Sequence, residues 1–73
     1  MASFTITTSR KVADQIIAQC NIDAKFDNRT YKLGSVIHEI SYSVIEILPK
    51  NENIKIKAED IFWLGYLSNI VVN

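Results

Sequence analysis

Cysteine, histidine, proline and glycine are all scarce in this chain. Cys20 is the only cysteine, His38 the only histidine and Pro49 the only proline, and the two glycines, Gly34 and Gly65, stand far apart. A lone cysteine excludes an intramolecular disulfide and a cysteine-built zinc cage. Isolated glycines exclude the glycine-rich loop that cradles phosphates. An excess of one charge is missing too, since eight Lys and Arg balance eight Asp and Glu, with neither sign gathered into a run. The positive stripe of a phosphate-binding surface is therefore absent, as is the acidic surface of a DNA mimic. The longest apolar stretch, Ile61 to Leu67, falls far short of the roughly 20 residues needed to span a bilayer. Residues 1–8 carry neither the basic nor the apolar segment of an export signal. A cytoplasmic chain without membrane contact is expected.

What is present is a chain of 73 residues, 48% of them apolar, enough for one small globular domain over 1–73. At this size only about 60% of the unfolded surface is buried, and a lone core supplies no more than about 3–5 kcal/mol. Disulfides are excluded, which leaves self-association or a bound partner as reinforcement, and a homodimer or heterocomplex is expected. Twelve Ile, six Asn and six Lys against two Arg point to A/T-rich codons, as in many bacteria, phages and mobile elements.

Local patterns outline the elements. Alternation at Phe4-Thr5-Ile6-Thr7 predicts a strand. Thr8 and Ser9 stand where a helix cap belongs, and Val12, Ala13, Ile16, Ile17 and Cys20 follow at helical spacing, with Gln15 and Gln19 on the polar side. A helix over 9–20, stopped at Asn21, is expected, with Arg10 and Asp14 paired on its surface. Residues 21–31 read as a connection pinned by Phe26 and Tyr31. Over 32–48, Leu33, Ile37, Ile40, Val44 and Ile47 form a stripe at spacings of four, three, four and three, which predicts a second helix. The competing reading is a strand over 36–48 that turns at Pro49 and sets Ile45 and Ile47 opposite Ile56 and Ile54. Residues 53–57 alternate as a short strand, and Glu59 and Asp60 open a third helix over 58–72. The architecture expected is mainly α, three helices with a minor two-stranded β element made of 4–7 and 53–57. The alternative is α+β, with a β-hairpin at 36–57 packed against two helices.

Few residues invite a chemical reading. His38 with Glu39 and Tyr42 lacks the second positioned group that acid–base catalysis needs. Cys20 closes an apolar helix face, and so reads as a small core residue rather than a nucleophile. Neither a catalytic residue, a metal site nor a cofactor is expected, and the chain reads as no enzyme. Lys25, Phe26, Arg29, Tyr31 and Lys32 interleave bases with aromatics, the pattern that stacks nucleobases while holding phosphates. Asp27 interrupts it. Phe62, Trp63 and Tyr66 carry more weight, because Phe62 and Trp63 point about 100° apart on a helix and cannot share one core. Ile61 and Leu64 share a face expected to be core, which turns Trp63 and Tyr66 toward solvent.

The function expected is a protein-binding module that occupies a partner's surface through Trp63, Tyr66, Phe62 and Tyr42. Its specific form, on size and codon bias, is an inhibitor of a host protein encoded by a phage or mobile element. The alternative is a small nucleic-acid-binding regulator using Lys25, Phe26, Arg29, Tyr31 and Lys32.

Overall fold

The computed structural model describes residues 3–71. Its elements are β1 (Phe4–Thr8), α1 (Arg10–Phe26), β2 (Tyr31–His38), β3 (Ser43–Pro49) and α2 (Ala58–Val71). The expected end of the last helix, at 72, lies outside the described residues. β3 is central in a three-stranded sheet of order β1-β3-β2, antiparallel to both neighbours. β1 and β2 are thus parallel with β3 between them, a split β-α-β unit crossed by α1. No helix among the described residues is long and apolar enough to cross a membrane.

The helix expected over 32–48 does not form; that stretch is the β2–β3 hairpin. Seventeen residues in α1 and fourteen in α2 leave fewer than half of the 73 helical, and the fold is α+β rather than mainly α with three helices. The helical stripe was a coincidence of spacing. Leu33 and Ile47 pair on the face turned to the helices, Ile37 and Val44 pair on the opposite face, and Ile40 sits fully exposed in the turn. A bulge between Leu33 and Val36 shifts β2 by one residue and breaks its period of two, so a pattern split across two faces reads as one helical face. Val36, Ile37, Val44, Ile45 and Ile47, all β-branched, pack well on a pleated surface and lose rotamer freedom in a helix.

The hairpin differs from the expected alternative as well. Ile45 lies opposite Val36 and Ile6, Ile47 lies opposite Leu33 and Phe4, and Glu46 lies opposite Thr5. Residues 53–57 form no strand, so the expected pairing of 4–7 with 53–57 is replaced by β1 with β3. Ile56 is nonetheless buried, and its segment is an irregular connection held to the core.

α1 begins where the sequence placed it. Ser9 is extended (φ −68°, ψ 158°), and its hydroxyl accepts from the Val12 amide at 3.2 Å. It runs past Asn21 to Phe26 and ends at Asp27, whose left-handed backbone (φ 54°) lets its N–H reach the Asp23 carbonyl at 2.8 Å. The apolar series ends at Cys20 in the sequence only because the next buried position is an acid, Asp23. Gln15 and Gln19, expected on the exposed side, are buried as well. The core gathers Ala13, Ile16 and Cys20 of α1, Tyr31, Ile45 and Ile47 of the sheet, and Ile56 and Leu64. Inward Ser43, Ile45 and Ile47 alternate with half-buried Val44, Glu46 and Leu48 on the open face.

Candidate interaction surface

α2 divides into two faces. Asp60, Leu64 and Ser68, spaced by four, are buried, and Ile61 packs against the core. The other side presents Phe62, 65% exposed, Trp63, 39%, and Tyr66, 53%. These three rings hold one another. Phe62 and Tyr66, one turn apart, stack with centroids 6.3 Å apart and planes 6° from parallel. Trp63 meets both edge-on, at 5.4 Å and 5.7 Å with interplanar angles of 80° and 84°. Offset and edge-to-face pairs of this kind each contribute about 0.5–1.5 kcal/mol beyond area burial, so the rings are restrained before any partner arrives.

Gly65 lies beside them, exposed and without a positive φ. A Cβ placed there would meet nothing within 4 Å among the described residues. Among the described residues neither packing nor backbone geometry calls for glycine here, although glycine inside a helix costs about 0.8–1.0 kcal/mol relative to alanine.

The buried end of α2 is fixed by a polar junction that sequence reasoning missed. Asp60 accepts from the Thr30 amide at 2.9 Å and the Thr30 hydroxyl at 2.6 Å, and Arg29 Nη1 lies 3.5 Å from its other oxygen. The Thr30 hydroxyl in turn accepts from the Lys57 amide at 2.9 Å. Burial by itself would raise the Asp60 pKa, but the two Thr30 hydrogen bonds and the Arg29 guanidinium outweigh it and hold the carboxyl below its ordinary range. Asp23, at the end of α1, accepts from Tyr31 Oη and from Gln19 Nε2 at 3.1 Å, and Arg29 Nε lies 3.9 Å away. In the sequence, Asp60 read only as a favourable charge at a helix start.

The basic-aromatic group is taken apart by this junction. Tyr31 is 5% exposed, with its hydroxyl donated to Asp23, so its ring presents no face to a nucleobase. Arg29 is held between Asp23 and Asp60. Lys25, Phe26 and Lys32 remain exposed; Phe26 thus does not pin the loop to the core. Tyr42 is exposed on the β2–β3 turn, beside Ile40, at the end of the sheet opposite to the Thr30–Asp60 junction where α2 begins. His38 meets Ser43 there, Nδ1 to Oγ at 2.7 Å. Cys20 is buried in the core, and burial, with Asp23 nearby, pushes its thiol up to about 12. Among the described residues there is no cavity, and no three His, Cys, Asp or Glu side chains are gathered as metal ligands.

Compared with known families, curated proteins and solved structures, the chain matches none.

Proposed function

We propose that this chain works by binding another protein, and that the aromatic face of α2 is the contact surface. The observation that carries the reading is the pre-packed trio of Phe62, Trp63 and Tyr66, exposed on a helix whose opposite face is anchored in the core. Trp and Tyr are enriched among residues that dominate interface energies, because they bring large contact area at small entropic cost. Rings already restrained by one another lower that cost further. Gly65 supports the same reading, since its bare backbone leaves a low place beside Phe62 for a partner to approach. Tyr42, exposed on the β2–β3 turn, shares no ring contact with the trio among the described residues and is proposed as a secondary contact. The narrower form, an inhibitor carried by a phage or mobile element, rests on chain size and codon bias alone.

Capture from lysate with the full chain tests this reading, comparing wild type with Trp63→Ala and Tyr66→Ala at matched folding by circular dichroism. The expected result is a partner retained by wild type and weakened by about 1–2 kcal/mol or more in each variant. Trp63 is the only tryptophan, so its fluorescence should also shift on binding. Retention of the same partner by both variants with unchanged affinity would overturn the assignment. Loss of binding between low and moderate salt would instead indicate phosphate contacts.

A further inference from the structure

We propose that β1 is a pairing edge, along which two copies of this chain join antiparallel about a two-fold axis at Ile6 to make one six-stranded sheet. With β3 in the middle, the sheet has two edges without a further strand among the described residues, β1 and β2, and they are unlike. β2 carries Lys32 and the bulge between Leu33 and Val36, and the Ser35 amide is already donated to Glu46 Oε1 at 3.2 Å. Charge and bulges are the devices that keep an edge from pairing. β1 has neither. Phe4-Thr5-Ile6-Thr7-Thr8 contains no charge and no proline, and it runs in unbroken register against β3. Such a strand offers a row of backbone N–H and C=O groups to any further strand.

The side chains select a second copy as the occupant. A two-fold contact has to be self-complementary. With Ile6 opposite the partner's Ile6, Phe4 falls opposite the partner's Thr8, and Thr5 opposite the partner's Thr7. No charge meets a like charge, the axis carries a β-branched pair, and each Thr–Thr pair can hydrogen-bond, all favourable cross-strand combinations. Whichever alternate residues of β1 turn their N–H and C=O groups outward, this pairing keeps Ile6 on the axis. It also covers Phe4 and Ile6, which pack against the core yet are only partly buried. α1 lies over β2 and β3, toward the other edge. The proposal goes beyond the α2 binding surface and does not depend on it.

Two double variants read the register directly. Thr5 and Thr7 are exposed on the open face, and Thr5 lies opposite Glu46 of the same chain, so Thr5→Lys is tolerated in the monomer. Thr5→Lys with Thr7→Lys puts like charges opposite each other across the axis, whereas Thr5→Lys with Thr7→Glu puts opposite charges there. In sedimentation equilibrium from micromolar to millimolar chain, wild type and the Lys/Glu variant should dimerise. The Lys/Lys variant should dissociate with a Kd raised at least tenfold. On the unsubstituted chain, amide protection at alternate residues of β1 should rise with concentration, a readout that does not depend on a variant folding. A wild type monomeric to millimolar, equal dimerisation of both double variants, or β1 protection independent of concentration would overturn the proposal. So would a dimer that survives Lys/Lys substitution and is lost in Trp63→Ala.

Discussion

Thr30 donates both its amide and its hydroxyl to one carboxylate oxygen of Asp60, joining the start of β2 to the first turn of α2 across thirty positions. Because these donors favour the charged form, the folded pKa of Asp60 lies below its unfolded value, about 3.9 for an ordinary aspartate. The stability gained is therefore present above the unfolded value and is lost as pH falls through the folded one. Unfolding free energy should decline from about pH 5 downward. In Asp60→Asn that decline should be shallower, with stability at pH 7 lower by roughly 1.5–3 kcal/mol, the scale of hydrogen bonds to a charged group. Urea titrations at several pH values check it; identical acid slopes in the two proteins would dismiss the role given to Asp60.

Cys20 should be inert in the folded protein. Its thiol, pushed up to about 12, holds almost no thiolate at pH 8, and its side chain is buried. Alkylation by iodoacetamide should proceed only through unfolding and accelerate with urea in step with the unfolded fraction. Rapid labelling in native buffer would mean that α1 opens locally.

The two faces of α2 should separate in mutational scans. Leu64→Ala removes a side chain that is 3% exposed and should cost about 2–5 kcal/mol, enough to unfold much of so small a chain. Trp63→Ala and Tyr66→Ala lose ring–ring contacts, and each should cost clearly less. Equal destabilisation by all three would place the aromatics in the core.

The glycines should respond with opposite signs. At Gly34 a Cβ would lie 2.7 Å from Glu46 Oε1, the atom that accepts from the Ser35 amide. Gly34→Ala displaces that carboxylate and should destabilise by about 0.5–1.5 kcal/mol. At Gly65 the space is open among the described residues, and Gly65→Ala should stabilise the helix by about 0.5–1 kcal/mol, raising Tm by several degrees. Thermal melts of both variants decide it. A gain in Tm at Gly65 accompanied by weaker partner capture would tie the glycine to the binding surface.

Part of the proposed surface is legible in the sequence. Helical geometry alone separates Leu64 from Trp63 and Tyr66, because residues three apart share a face, and the structure buries the first and exposes the others. The basic-aromatic group was not separable in this way. Nothing local distinguishes an arginine that holds phosphate from one clamped between Asp23 and Asp60, the second of which lies 31 positions away. Ile40 counted as a core residue in the helical stripe, yet it stands fully exposed on the turn.

By itself the sequence determined what local chemistry controls: the start of α1 at the Ser9 cap, the strand character of residues 4–7, the acidic opening of α2, and the burial of Ala13, Ile16, Cys20 and Leu64. Each depends on neighbours within about four positions, where side-chain periodicity and capping act. Tertiary structure alone decided the state of 31–49 and the length of α1. The hairpin is stabilised by a strand from the other end of the chain, β1, which sets Ile6 against Ile45 and Phe4 against Ile47. The last turns of α1 continue because Asp23 finds Tyr31, Gln19 and Arg29 around it. Gln19 stands one turn away on the same helix, but Tyr31 and Arg29 are brought within reach only by the fold, and a buried carboxylate is tolerated only where such groups converge on it.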